Sequence, residues 1–123
     1  MNVAIWIAQG LLAVAFVFAG TMKLTQAHGK LAEQMGWPED FSPGVVKLIG
    51  GLELLGGLGL ILPSLIGSAP VLTPLAAVGL AVIQLGAVIV HHRRGEARML
   101  MVNLILIALL VFVAWGRFGA YAL

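Results

Sequence analysis

The sequence predicts an all-α integral membrane protein, folded as an antiparallel bundle of four transmembrane helices. The 123-residue chain is 61% hydrophobic and only 10% charged, and its mean hydropathy is +1.07. Soluble domains carry about 25% charged residues, and so few charges would leave large apolar patches in contact with water, which soluble monomers avoid. Intrinsic disorder is excluded because disordered chains are poor in apolar residues. The composition therefore predicts a lipid bilayer as the partner of this chain.

Four apolar segments are long enough to cross the hydrocarbon core, which takes about 20 residues. They are predicted at about 3–24, 45–62, 71–90 and 99–115, and residues 1–123 are expected to form one domain. The first twenty residues contain no Lys or Arg, so the first segment is predicted to be a membrane helix and not a cleaved secretory signal. Short connections make neighbouring helices antiparallel, which completes the predicted bundle.

The basic residues predict the orientation of the bundle. With their flanks, the loops 25–44 and 91–98 hold six of the seven Lys and Arg residues, and Arg117 alone falls on the opposite side. The positive-inside rule then places both loops in the cytoplasm and both termini outside. The expected location is the cell (inner) membrane. Loop 25–44 is predicted to lie at the membrane interface, where Trp37 suits the headgroup level.

Several kinds of chemistry are excluded or disfavoured by composition. The chain has no cysteine, which excludes disulfides, thiolate metal sites and thiol-based redox chemistry. Its basic residues are scattered among apolar runs, so nucleic acid is not an expected partner. No metal site is predicted. His91 and His92 adjoin an Arg-rich turn, where a solvated interfacial role is favoured and haem ligation stays open as the alternative.

Polar residues inside the apolar segments mark the candidate site. A charge near the bilayer centre costs at least about 2.5–3.5 kcal/mol, so Glu53, which lies roughly 12 Å into the second segment, is expected to be protonated or paired. Helical spacing places polar stripes on three of the segments, and a cavity open to the cytoplasmic side is predicted between them. The candidate catalytic residues are Glu53, Lys23 and His91. The candidate ligand-binding residues are Gln9, Phe16, Gln84, Asn103 and, from the loop, Trp37.

The same residues also admit structural interpretations. Glu53 could form an ion pair with Lys23 or Lys47 that only fixes the helix register. Lys23 could instead extend to the headgroups, while the amide side chains could simply bond neighbouring helices. Glycine accounts for 16 of the 123 residues, and its density in the second segment predicts that this helix is the central, most tightly packed one.

The order and spacing of these residues resemble a known family. The pattern comprises Phe16-x-x-x-Gly20-x-x-Lys23, then Lys47-x-x-Gly50-Gly51-Leu52-Glu53, then Gly86-Ala87-x-x-x-His91-His92. In these pieces the chain resembles the DoxX-like family of small four-helix membrane proteins. The resemblance implies the fold, the membrane location and a link to redox or quinone chemistry. The family takes its name from a subunit associated with an archaeal thiosulfate:quinone oxidoreductase. Other relatives belong to oxidative-stress membrane complexes or assist receptor assembly.

Three functions remain open from the sequence, and whether the chain is an enzyme stays open with them. The first is a redox-linked protein whose cavity binds a quinone-like lipophilic molecule, with electrons from a partner protein or a bound cofactor. The second is a cofactor-free membrane enzyme, of isomerase or epoxide-opening type, that uses Glu53 as acid or base. The third is a non-enzymatic accessory or assembly subunit, docked through the glycine-rich segment. A homo-oligomer is compatible with the mass of 12.9 kDa.

Overall fold

The computed structural model describes residues 1–26, 41–67, 69–119 and 121–122, and these ranges contain helices and turns but no strand. The helices are α1 (Asn2–Thr25), α2 (Pro43–Gly59), α3 (Leu62–Ile66), α4 (Leu72–Arg93) and α5 (Ala97–Phe118). Four segments are long and apolar enough to cross a membrane, the second of them formed by α2 and α3 together. The predicted all-α membrane class is therefore confirmed. Most of loop 25–44, including Trp37, lies outside the described residues.

Proline and glycine set the ends of the second span. Pro43 occupies the first turn of α2, and the side chain of Ser42 caps that helix by accepting a 3.3 Å hydrogen bond from the amide of Val45. Pro63 has no amide hydrogen to continue the ladder, and α2 accordingly ends at Gly59 before the short α3 begins. Gly67 then ends α3 in the left-handed conformation, with φ of +68°.

Glycines bring α1 and α2 into close contact. A Cβ atom on Gly20 would lie 2.5 Å from the carbonyl oxygen of Gly50, and one on Gly50 would lie 2.6 Å from the Cβ of Lys23. Farther along the same seam, a Cβ on Gly57 would lie 2.9 Å from a methyl group of Val17. Small residues are thus what allows these two backbones to approach, as is common between membrane helices.

The most enclosed span is α1, so the expectation that the second span is the central helix was wrong. In the apolar 18-residue window of each span, 39% of the window is buried in α1 and 28% is buried in the second span. The reason lies in side-chain size, because α1 contributes Ile5, Leu12 and Phe16 to the interior. The glycines of α2 bring no side chain, and they lie against α1 at Gly50 and Gly57.

The apolar core fills one half of the bundle, next to the chain termini. Its buried members come from the first part of α1, the end of α2, the first part of α4 and the last part of α5, and they include Ile5, Leu12, Leu60, Leu80 and Leu110. The outward faces are also apolar, with Val14 72% and Phe18 70% exposed. That outer surface suits lipid, and the other half of the bundle is left for a cavity.

Candidate functional site

A cavity of about 720 Å³ opens between the helices in the half of the bundle near the charged turn 91–98. Helices α1, α2, α4 and α5 all contribute to its walls, and Phe41 lines it from the segment before α2. The walls are mostly apolar, and their polar members are Lys23, Glu53, Gln84, His91, Glu96 and Asn103. Both the size and the mixture of many apolar with few polar groups are typical of small-molecule sites.

Lys23 and Glu53 form a buried ion pair on the cavity wall. The ammonium group of Lys23 on α1 donates a hydrogen bond to Oε1 of Glu53 on α2, and the two side chains are 9% and 5% exposed. Lys47 is not the partner, because its Nζ donates to the carbonyl oxygen of Leu24 at 2.9 Å. Lys23 therefore pairs inside the bundle instead of extending to the headgroups, and its pairing offsets the cost of burying Glu53.

His91 and Glu96 meet at the turn between α4 and α5. Nδ1 of His91 lies 2.8 Å from Oε1 of Glu96, and the histidine is only 4% exposed. The turn closes because Gly95 adopts a positive φ of +70° and because the amide of Glu96 donates to the carbonyl of His91 at 2.9 Å. Sequence reasoning missed Glu96 as a site residue. The glycine after the last helical position was the signal that the chain turns back here.

Gln84 and Asn103 join α4 to α5 deeper in the same cavity. Nδ2 of Asn103 donates to Oε1 of Gln84 at 2.6 Å. Oδ1 of Asn103 is buried and has no hydrogen-bond partner, although the side chain belongs to the cavity lining. A buried acceptor without a partner is costly, so this oxygen keeps an unused capacity to accept a hydrogen bond.

Gln9 lies at the other end of the bundle, which corrects its predicted place in the cavity lining. Its Nε2 donates to the carbonyl oxygen of Leu60 at 2.6 Å, and its Oε1 accepts from Nε of Arg117 at 2.7 Å. Gln9 shares a face of α1 with Lys23, but the two are fourteen residues apart. At about 1.5 Å per residue, that separation is roughly 21 Å along the helix.

Arg117 organises this second group, which we call the distal polar cluster (Asn2, Gln9 and Arg117). Its Nη1 donates to Oδ1 of Asn2 at 2.6 Å and to the carbonyl of Tyr121 at 2.9 Å. The guanidinium also lies 5.1 Å from the ring centroid of Trp6, within cation–π range. Arg117 is 4% exposed, and sequence reasoning used it only to assign orientation. A basic residue in the last turn of an apolar helix was the signal that it needed polar partners.

The structure thus brings together six of the eight sequence-predicted site residues. Phe16, Lys23, Glu53, Gln84, His91 and Asn103 line one cavity, Gln9 belongs to the distal polar cluster, and Trp37 lies outside the described residues. Within the described ranges, no three His, Asp or Glu side chains form a group that could hold a metal ion. Chemically, the cavity combines a mostly apolar wall with a few hydrogen-bond donors and acceptors.

Comparison with known proteins bears on the identity of this bundle. No curated protein and no solved structure matches the chain. A family model, that of the DoxX-like family, matches residues 7–113 of the 123-residue chain. The match includes all four spans in large part and every described residue named above on the cavity wall. The chain belongs to the DoxX-like family.

Proposed function

We propose that this protein is a redox-linked membrane subunit that binds a quinone-like lipophilic molecule in its cavity. The observation that carries the proposal is the convergence of three polar pairs on one mostly apolar cavity of about 720 Å³. These pairs are Lys23–Glu53, His91–Glu96 and Gln84–Asn103. A lipophilic ring with polar atoms at its edge is the class of molecule that such a mixture of surfaces fits.

The residues present suit both forms of a quinone. The side chains of Phe16, Ile83 and Val102 supply apolar wall for the ring. The carbonyl oxygens of the oxidised form need donors, and Lys23 carries one on the same wall. The hydroxyl groups of the reduced form need acceptors, and Oδ1 of Asn103 is a buried acceptor without a partner. The cavity therefore offers partners for the polar atoms of either form.

Quinone chemistry also requires electrons and protons. Because the chain has no cysteine, it cannot supply electrons through thiols, and in this proposal they come from a partner protein or a bound cofactor. The Lys23–Glu53 and His91–Glu96 pairs line the cavity and are the groups able to move protons to or from a bound ring. The basic residues favour a cavity that faces the cytoplasm from the cell membrane, with both termini outside.

A cofactor-free acid–base enzyme is the second candidate, favoured by the place of Glu53. The carboxylate lies on the cavity wall with a cationic partner, Lys23, already bonded to it. Glu53→Gln would then abolish turnover of an apolar substrate while the bundle stays folded. The assembly-subunit alternative placed its docking surface on the glycines of α2. Gly50 and Gly57 pack against α1, whereas Gly51 has open space beside it, so only part of this glycine-rich surface is occupied within the chain.

A cavity-filling variant tests quinone binding. Ala87 lines the cavity on α4, so Ala87→Phe should fill part of it. Ala108 on α5 is exposed and lies outside the lining, so Ala108→Phe is the matched control. We expect a short-tailed ubiquinone analogue to raise the Tm of the wild type and of Ala108→Phe in lipid nanodiscs, but not of Ala87→Phe. No rise in the wild type, or an equal rise in all three proteins, would contradict the proposal.

A further inference from the structure

An apolar groove runs between α2 and α4 beside the cavity. It encloses about 380 Å³ and is lined by Leu52, Gly56, Ala76, Gly79, Leu80, Val82 and Ile83. Val82 and Ile83 also belong to the wall of the cavity. The groove and the cavity therefore share one wall, which this stretch of α4 forms.

The groove faces the lipid. Leu52 is 46% and Val82 63% exposed, and Gly79 is exposed as well. A Cβ atom on Gly79 would meet nothing within 4 Å. No side chain in the lining carries a charge or a hydrogen-bonding group. A molecule that lies here needs no polar atoms, and the site is open to occupants that arrive from within the bilayer.

We propose that the molecule held in the cavity carries a long hydrocarbon tail, which leaves past Val82 and Ile83 and lies in this groove. The inference rests on the proposed function, because it concerns the same molecule, and it adds the class of its tail. The ring in the cavity and the tail in the groove would then both contact the wall that Val82 and Ile83 form. The groove volume of about 380 Å³ and its wholly apolar lining suit a hydrocarbon chain.

The expected contribution of the tail is moderate. A tail that enters the groove moves there from lipid and not from water. Its contribution to the free energy of binding therefore comes from packing and not from the hydrophobic effect. We therefore expect a polyprenyl quinone to bind about three- to tenfold more tightly than the same ring without a tail. Both affinities are expressed per mole of lipid, so that partition into the bilayer does not enter the comparison.

The test compares two probes on three proteins in nanodiscs. The probes are one quinone ring with a tail of several isoprene units and the same ring without a tail. Gly79→Leu fills the groove. Gly10→Leu is the matched control, because Gly10 lies outside the groove and the cavity and a Cβ there also meets nothing within 4 Å. We expect Gly79→Leu to lose the preference for the tailed probe and to bind the tailless probe with unchanged affinity. Gly10→Leu should keep the wild-type preference for the tailed probe.

The remaining outcomes separate this inference from the proposed function. Equal binding of both probes by the wild type overturns the tail inference and leaves quinone binding in place. The same tail preference in Gly79→Leu as in Gly10→Leu also overturns it, and then lipid or another occupant fills the groove. If the wild type binds neither probe, the proposed function itself fails.

Discussion

Lys23 donates a hydrogen bond to Glu53 across the seam between α1 and α2, at a point where Gly50 leaves room for the lysine side chain. The seam and the ion pair depend on each other. The close approach of the two backbones lets the ammonium group of Lys23 reach the carboxylate of Glu53. Lys23 in turn supplies the positive charge that offsets the cost of placing Glu53 inside a membrane. Both side chains also line the cavity, so this pair links the packing of the bundle to its candidate chemistry.

Breaking the pair should cost more than removing it. Lys23→Met or Glu53→Gln leaves one buried polar or charged partner alone, and we expect the free energy of unfolding to fall by about 3–5 kcal/mol in each single variant. The double variant should recover most of that loss because neither charge remains. These free energies are measured by titrating the folded protein with a denaturing detergent while circular dichroism monitors its helix content. Additive losses in the double variant would show that the two residues do not act as a pair.

The seam itself can be tested at Gly20. A Cβ there would lie 2.5 Å from the carbonyl oxygen of Gly50 and 2.6 Å from the amide nitrogen of Leu54, both of them backbone atoms. Gly20→Ala therefore forces the helices apart, and we expect a loss of about 1–3 kcal/mol in the free energy of unfolding. A Cβ on Gly51 meets nothing within 4 Å, so the free energy of unfolding of Gly51→Ala should equal or slightly exceed that of the wild type. Equal losses in both variants would be evidence against close packing at this seam.

The distal polar cluster is expected to stabilise the fold without contributing to ligand binding. Arg117→Met removes the donors to Gln9 and Asn2, and we expect it to lower the free energy of unfolding by about 1–2 kcal/mol. The affinity for a short-tailed quinone should not change, because the cluster lies at the opposite end of α1 from Lys23. Calorimetric titration of the folded variant measures this. A clear fall in affinity would mean that the two ends of the bundle are coupled.

Asn103 should distinguish the two forms of the ligand. Its buried Oδ1 can accept a hydrogen bond from a hydroxyl but not from a carbonyl. We expect Asn103→Leu to weaken binding of the hydroquinone about tenfold, which corresponds to one hydrogen bond of about 1.4 kcal/mol. Binding of the quinone should weaken less. Titration with each form under controlled redox conditions gives both values, and equal losses would assign the effect of Asn103 to packing alone.

The orientation can be tested with reporter fusions. A phosphatase that is active only outside the cytoplasm should be active when it is fused to the C-terminus and inactive when it is inserted in the turn 91–98. The expectation follows from the six basic residues that lie in or beside the two charged loops, against Arg117 on the other side. The reverse pattern of activity would place the cavity mouth outside the cell.

The features that local sequence carries were predictable. Runs of apolar residues identify spans because hydrocarbon tolerates little else, and the all-α class rests on them. The family resemblance rests on the order and spacing of the polar residues and glycines. The candidate cavity residues were found because helical spacing shows which residues share a face. Lys23 and Lys47 were the expected partners of Glu53 because all three fall in the same half of the predicted bundle. The choice between them depends on where Lys47 meets the carbonyl of Leu24, which is a tertiary contact.

The shared face of α1 did not by itself give the depth of Gln9, and contacts between distant segments were not predictable. Gln9 and Lys23 share one face of α1, and a face says nothing about which end of the membrane each residue occupies. Arg117 turns inward because the end of α5 packs beside the start of α1, so that it meets Gln9 and Asn2. That packing joins the two ends of the sequence, and no local pattern encodes it. Glu96 likewise reaches His91 only because the turn at Gly95 closes.

Quinone binding in the cavity is tested most directly by photochemical labelling. A photoreactive short-tailed quinone is crosslinked to the protein in nanodiscs, and the labelled peptides are mapped by mass spectrometry. We predict adducts on cavity residues such as Phe16 and Val102, and their loss in Ala87→Phe but not in Ala108→Phe. Adducts confined to the distal end near Trp6 and Arg117, or to the lipid-facing surface and unchanged by Ala87→Phe, would contradict binding in the cavity.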